Sequence, residues 1–103
     1  MKKFKCTVTR EVTMEIEIDE TIWTPEAIRA WSKSFYDADD LSTVVEHVAR
    51  LKSKYEDGEF IEGFGIPMID GMKPYPYIED NRMAKDINIC NQSVDTSVDV
   101  EEI

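Results

Sequence analysis

Residues 3–19, KFKCTVTREVTMEIEID, alternate between polar and apolar side chains. Apart from Arg10, every even position from Phe4 to Ile18 is apolar, whereas the odd positions carry Lys, Thr, Glu or Asp. A period of two, rich in Thr, Val and Ile, is typical of an antiparallel strand with one buried face. As one strand the segment would span about 55 Å, too long for a compact domain whose radius of gyration is about 13 Å. We therefore predict an antiparallel hairpin that turns near residues 9–11; because this region has no Gly or Asn, one long bulged strand is the alternative.

Two amphipathic helices are predicted to follow this segment. Thr24, followed by Pro and Glu, is a favourable start for a helix that ends near Tyr36. The second helix covers about residues 41–55, with Asp40 or Thr43 as its N-cap. We expect both helices to pack on the even-numbered face of the hairpin through Trp31, Phe35, Val44, Val48 and Leu51.

The C-terminal half predicts further extended structure. Residues 59–66 are apolar and interrupted by glycine, which indicates a strand with a bulge, and residues 86–90 alternate as a short fourth strand would. The last segment, residues 91–103, is either an acidic edge strand or a flexible tail. The predicted fold is therefore a single α+β domain over residues 1–90: an N-terminal antiparallel hairpin, two amphipathic helices on one sheet face, and one or two further strands.

The charge of the chain is strongly asymmetric. The 103 residues carry a net charge of −10, of which residues 56–103 contribute −9. Such a field repels nucleic acid and anionic lipid and attracts basic surfaces, so we expect no direct nucleic-acid or membrane partner. The basic N-terminus is not followed by an apolar run, and no segment approaches the roughly 20 apolar residues of a membrane span. These features favour a cytoplasmic protein.

The sequence lacks the motifs of common catalytic and metal sites. Cys6 and Cys90 fit no zinc spacing, and the acidic residues 37–40 lack the glycine and glutamate of a calcium loop. His47 is the only histidine, at the flank of an apolar helical stripe, and no nucleophile or phosphate-loop motif is present. We predict a non-enzymatic protein without a cofactor or metal.

The acidic C-terminal half predicts a protein-binding surface. Our first hypothesis is docking on a basic protein surface; where that surface normally holds nucleic acid, the protein would be an inhibitor that acts by charge mimicry. The acidic candidates are Glu56, Asp57, Glu59, Glu62, Asp70, Glu79, Asp80, Asp95, Asp99, Glu101 and Glu102. In the alternative, acidity serves solubility, and a structural or oligomeric module binds through the Met/Tyr/Pro loop 68–77, with Tyr75 and Tyr77 at the contact. The sequence leaves open whether the protein forms a homo-oligomer.

The N-terminal quarter resembles a known group of proteins. The residues Lys3-Phe4-Lys5-Cys6-Thr7-Val8-Thr9-Arg10-Glu11-Val12-Thr13, Glu15-Ile16-Glu17-Ile18 and Thr24-Pro25-Glu26-Ala27 look like the opening of small phage and mobile-element accessory proteins. These often begin with a Thr/Glu-rich hairpin and a short helix. The group includes inhibitors of host-defence nucleases, so the resemblance implies a role as such an accessory protein. It carries over no functional residue.

Overall fold

The protein combines a three-stranded mixed sheet with two helices, which confirms the α+β class. The structure, a computed structural model, describes residues 1–103. In chain order the regular elements are β1 (Phe4–Ile18), α1 (Pro25–Ser32), α2 (Leu41–Lys52), β2 (Ile66–Ile69), a 3-10 turn (Asp80–Arg82) and β3 (Met83–Glu102). The sheet order is β1-β3-β2, in which β1 is antiparallel and β2 parallel to β3.

The predicted N-terminal hairpin is wrong. β1 is one strand, and Arg10, where we placed the turn, pairs directly with Thr96 of β3. The size argument fails because β1 leaves the body of the protein: the molecule is 59 Å long with a radius of gyration of 17.6 Å, well above the roughly 13 Å of a compact domain of this length. The absence of Gly and Asn from residues 9–11 was the observation that favoured a single long strand over a hairpin.

The expected short fourth strand is only the first part of β3. Residues 91–102 continue the same strand as the antiparallel partner of β1, without a break at residue 90. The glycine-containing segment 59–66 forms a turn closed by the bridge between Ile61 and Gly65 instead of a strand. The corresponding strand begins only at Ile66, and Pro67 lies inside β2.

A bulge in β3 keeps the two long strands in phase. Thr13 pairs with Ser93 but Glu15 pairs with Cys90, so β3 holds one residue more than β1 in this interval. Asn91 has a φ of 52°, a left-handed conformation that asparagine tolerates better than most residues. The extra residue keeps the apolar positions of both strands on one face before and after the bulge.

Both helices begin as the sequence predicted. The side chain of Thr24 accepts a hydrogen bond from the N–H of Ala27, and Asp40 caps α2 by accepting from the N–H of Thr43 at 2.9 Å. Val48 of α2 is fully buried against the apolar face of the sheet. Val48 forms a buried cluster with Ile87 and Ile89, and Met14, Ile16 and Ile18 of β1 are among the side chains packed against it. Helix α2 therefore covers one face of the sheet, and only near its base.

The two long strands continue beyond the helices as a two-stranded arm. We call the paired segments 4–12 of β1 and 94–102 of β3 the distal ribbon. None of its residues is buried, and its valines, such as Val8 at 63% and Val98 at 58% of full exposure, face solvent. The ribbon therefore exposes two faces of different chemistry, because successive side chains of a strand point to opposite sides.

Candidate protein-binding surface

One face of the long β1–β3 pair is a row of carboxylates. It is the face opposite the helices, and it carries the odd-numbered residues of β1 together with their partners in β3. We define the carboxylate face by six acidic side chains: Glu11, Glu15, Glu17, Asp95, Asp99 and Glu101. The row from Glu17 to Glu101, which pairs with Lys5, covers about 40 Å at ~3.4 Å per residue. Lys5, with Lys3 beyond it, lies at the far end, so most of the face has no cation of its own.

Two of these acids face each other directly. Glu11 and Asp95 are cross-strand partners, and neither takes part in an ion pair. Directly opposed side chains lie about 5 Å apart at their Cβ atoms, and a like-charge pair at this position destabilises a sheet by about 0.2–1 kcal/mol. A fold under selection for stability alone gains nothing from this pair.

Hydrogen bonds fix the carboxylates at the base of the face. The side-chain amide of Asn88 donates to the carboxylate of Glu17 at 2.7 Å. The side-chain amide of Asn91, the bulge residue, donates to the carboxylate of Glu15 at 2.8 Å. The N–H of Gly71 donates to the Asn88 side chain at 2.8 Å, which ties the loop containing Asp70 to the same edge. The bulge therefore also orients a charged side chain of the face.

The pKa of the Cys90 thiol reflects the negative charge at the base of the carboxylate face. Its pKa is raised, first by burial and then by the negative charges of Glu17, Glu15 and Asp70. A thiolate is disfavoured beside three carboxylates because like charges oppose ionisation. Asp70 thus lies close enough to the base of the carboxylate face to add to its negative charge.

The structure divides the acids that the sequence predicted as partner-binding. Asp95, Asp99 and Glu101 lie on the carboxylate face and Asp70 lies beside it, whereas Glu102 lies on the opposite face and pairs with Lys2 at 3.6 Å. The others lie away from the ribbon, in loops or, for Asp80, at the start of the 3-10 turn; they are Glu56, Asp57, Glu59, Glu62, Glu79 and Asp80. Two of these acids pair within the protein, Asp57 with Lys52 at 3.0 Å and Asp80 with Lys73.

Sequence reasoning missed half of the carboxylate face. Glu11, Glu15 and Glu17 were assigned only as the polar side of a strand, because the search for acids followed the charge excess beyond residue 55. The signal that would have found them was the alternation itself. All three occupy odd positions, so they share one side of β1.

The predicted loop contact presents a pair of stacked tyrosines. The rings of Tyr75 and Tyr77 are 5.5 Å apart and 12° from parallel, and Tyr77 is 81% exposed. Tyr75 packs against Gly58, where an added Cβ atom would lie 2.6 Å from the ring. Met72 is exposed nearby in sequence. The loop therefore presents an aromatic surface that packs against Gly58.

The single histidine, His47, makes contacts within the protein. The Nε2 atom of His47 lies 3.0 Å from the carbonyl oxygen of Asp37, and the ring stacks on Tyr36. No three His, Cys, Asp or Glu side chains are grouped as metal ligands, and none of the helices has the length and apolar character needed to cross a membrane. Comparison of the chain with family models, with curated proteins and with solved structures finds no match.

Proposed function

We propose that the protein is a binding module that docks its carboxylate face on a basic surface of another protein. The observation that carries this proposal is the alignment of six acids, including the opposed pair Glu11 and Asp95, on a sheet face that no helix covers. Glu15 and Glu17 on β1, like Asp99 and Glu101 on β3, are about 6.8 Å apart, less than the Debye length of about 8 Å at physiological ionic strength. About 13.6 Å separates Glu11 from Glu15 and Asp95 from Asp99, so a cationic surface meets three pairs of charges along the face.

The carboxylate face has a lower charge density than nucleic acid. Six charges over about 40 Å give one charge per ~7 Å, compared with one per ~1.7 Å in duplex DNA and ~3.4 Å along a single strand. Where the recognised surface also binds nucleic acid, occupancy by this face would exclude it, and the protein would be a competitive inhibitor. At this density it would compete more readily with single-stranded than with duplex nucleic acid.

The proposal is tested by capture of partners from an extract of the native cell at low and at high salt. Two baits with the same net charge separate the face from general acidity. The face variant is Glu11→Gln/Asp95→Asn/Asp99→Asn, and the loop variant is Glu56→Gln/Glu62→Gln/Glu79→Gln. None of these six side chains forms an ion pair within the protein.

We expect the wild type and the loop variant to retain the same basic protein at low salt, and the face variant to lose it. Raising the salt to about 1 M, where the Debye length falls to ~3 Å, should release the partner from both. Equal loss from both variants would assign the binding to overall acidity, and a complex retained unchanged at high salt would remove the electrostatic proposal.

The tyrosine stack supports a second candidate function, binding through the Met/Tyr/Pro loop. Tyrosine supplies rigid contact area at low entropic cost, and the ring of Tyr77, 81% exposed, stacks only on Tyr75 among the aromatic side chains. This function predicts a complex that is insensitive to salt and is lost in Tyr77→Ala or Tyr75→Ala. The face variant should leave such a complex intact.

A further inference from the structure

The outer edge of β1 presents unpaired backbone groups along the distal ribbon. β3 is the only strand beside β1, and no other backbone hydrogen bond reaches residues 4–12. The N–H of Ile103 donates to the carbonyl oxygen of Lys3 at 2.9 Å, so the odd-numbered residues of β1 hold the hydrogen bonds to β3. The backbone groups of the even-numbered residues therefore point to the outer edge, namely Phe4, Cys6, Val8, Arg10 and Val12. Such groups form a template for a further strand.

The same edge carries an acid and a cation that form no ion pair. Glu11 is repelled by Asp95 on the β3 side, and Lys5, on the same face of β1, lies opposite Glu101. Neither Glu11 nor Lys5 takes part in a salt bridge within the protein. Because β3 occupies one side of Glu11, a cation in the plane of the sheet reaches it only from the outer edge of β1. The edge thus offers a place for a cation beside Glu11 and for an anion beside Lys5.

We propose that this edge pairs with the same edge of a second copy of the chain, antiparallel and with the two-fold axis at Val8. In a two-fold interface the same patch meets itself. Val8 then faces Val8 of the other copy, and Thr7 faces Thr9. Lys5 faces Glu11, and the axis repeats this pair, so the second copy supplies the cation beside each repulsive pair. Thr–Thr pairs and opposite-charge pairs across strands are both stabilising.

The charges and the shape of the protein favour this register. The seam stays within the distal ribbon, away from the base of the sheet that α2 covers. An axis at Arg10 would also pair Lys5 with an acid, Glu15, but it would set the two Arg10 side chains directly opposite each other, and such like charges destabilise a sheet. With the axis at Val8, Arg10 faces Cys6 instead. Edge pairing covers neither side-chain face of the sheet, so the guanidinium group of Arg10 keeps its contact with water.

The free edge of β3 is unsuited to the same pairing. β2 pairs with β3 only as far as Ile89, so the rest of β3 also has an unpaired outer edge. An antiparallel pair of two such edges about Val98 would set Asp95 opposite Glu101, and these like charges oppose association. Self-pairing is therefore specific to β1, and it ends at a dimer because each copy has a single β1 edge.

Main-chain hydrogen bonds, more than buried area, set the strength of this interface, as in other cases of strand addition. The outward residues of the two copies form about ten hydrogen bonds between them, which equals the number in a typical protein interface. The two-fold axis is perpendicular to the four-stranded sheet, so both carboxylate faces lie on the same side of it. We expect a reversible dimer in which the proposed binding surface stays exposed.

Proline substitutions on the two free edges test the seam. Val8→Pro and Val98→Pro each remove an N–H group that points outward and bonds to no strand of the protein, a change that an edge strand tolerates. In analytical ultracentrifugation up to about 100 µM, we expect the mass of the wild type and of Val98→Pro to rise from 11.9 kDa toward twice that value. Val8→Pro should stay a monomer. Equal behaviour of the two variants, a wild type that remains monomeric, or one that grows beyond a dimer would overturn the proposal.

Charge exchange tests the pair of Lys5 and Glu11. The pair occurs twice, so Lys5→Glu should weaken the dimer about ten-fold. Glu11→Lys should weaken it as much, although it relieves the repulsion with Asp95 inside the chain. Lys5→Glu/Glu11→Lys restores opposite charges across the seam and should recover the wild-type affinity; a double variant no stronger than the single ones would overturn the proposal. Val8→Pro keeps every acid of the carboxylate face, so its capture of a basic partner is judged separately from dimer formation.

A disulfide tests the register. Directly opposed residues of a hydrogen-bonded antiparallel pair have Cα atoms about 5.5 Å apart, a separation that a disulfide spans. In a Cys90→Ser background, Arg10→Cys should form a covalent dimer with Cys6 of the second copy on oxidation, and Cys6→Ser should prevent it. Within one chain these two positions are about 13 Å apart. Thr96→Cys, at the partner of Arg10 on β3, should not cross-link. Equal cross-linking of both variants, or none with Arg10→Cys, would overturn the register.

Discussion

Reversal of one charge in the opposed pair Glu11 and Asp95 tests whether the carboxylate face costs stability. In Glu11→Lys a like-charge contact becomes an ion pair across the two strands. At a separation of about 5 Å in water each contact is worth about 0.8 kcal/mol before screening and ~0.4 kcal/mol at physiological salt. Loss of the repulsion and gain of the attraction together should stabilise the ribbon by about 0.8 kcal/mol.

The assay must report on the ribbon itself, because an exposed arm can open without global unfolding. Amide hydrogen exchange of residues 9–12 and 94–97 measures this local opening, and a gain of about 0.8 kcal/mol slows exchange roughly four-fold. At about 1 M salt the gain should fall to ~0.3 kcal/mol because the Debye length is then only ~3 Å. Glu11→Gln should give about half of the effect.

Two control variants show whether the effect on exchange comes from the pair of Glu11 and Asp95 or from net charge. Glu56→Lys changes the net charge equally but lies in a loop, so it should leave exchange in the ribbon unchanged. The double variant Glu11→Lys/Asp95→Lys restores a like-charge pair and should lose the gain. Faster exchange in Glu11→Lys, or the same effect in the double variant, would refute the assignment of a repulsive cross-strand pair.

Three further changes test the body of the protein. Lys52→Met leaves the acceptors around this 5% exposed ammonium without a donor and should lower the free energy of unfolding in urea by about 2 kcal/mol. Gly58→Ala, at a φ of 89° and against the ring of Tyr75, should cost about 1–3 kcal/mol in the same assay and change tyrosine fluorescence, whereas an unaltered midpoint would contradict the packing. Hydrogen bonds from the N–H and hydroxyl of Thr43 hold the pKa of Asp40 low. The contribution of Asp40 to the free energy of unfolding is therefore complete above its unfolded-state pKa and is lost as the pH falls through the folded-state pKa. Asp40→Asn should make the stability less dependent on pH in this acidic range.

The parts of the fold that follow local rules were predictable from the sequence. Thr24 and Asp40 act as N-caps because their side chains reach N–H groups within the same turn, and the stripe containing Val48 identifies the buried side of α2. The partner of β1 was not predictable in this way. Its pairing with residues 87–102 joins segments about 80 positions apart, and period-two alternation shows which side chains share a face but not which strand lies beside them.

Only half of the carboxylate face could be predicted from the sequence, because the other half depends on which strand lies beside β1. Asp95 and Asp99 were found from the charge excess, whereas Glu11 became part of the surface only because a distant strand lies against its own. The bulge at Asn91 had no sequence signal beyond the residue type, yet it keeps the valines of β3 on the same side as those of β1. Long-range pairing and one inserted residue therefore determine the surface.

The affinity of the captured basic protein for the two charge-matched variants tests the carboxylate face most directly. Titration calorimetry at low ionic strength should show the loop variant binding like the wild type. Loss of three charges at about 0.5–1 kcal/mol each should weaken the face variant by roughly 10- to 100-fold. Equal affinities of the two variants would contradict the proposed role of the carboxylate face.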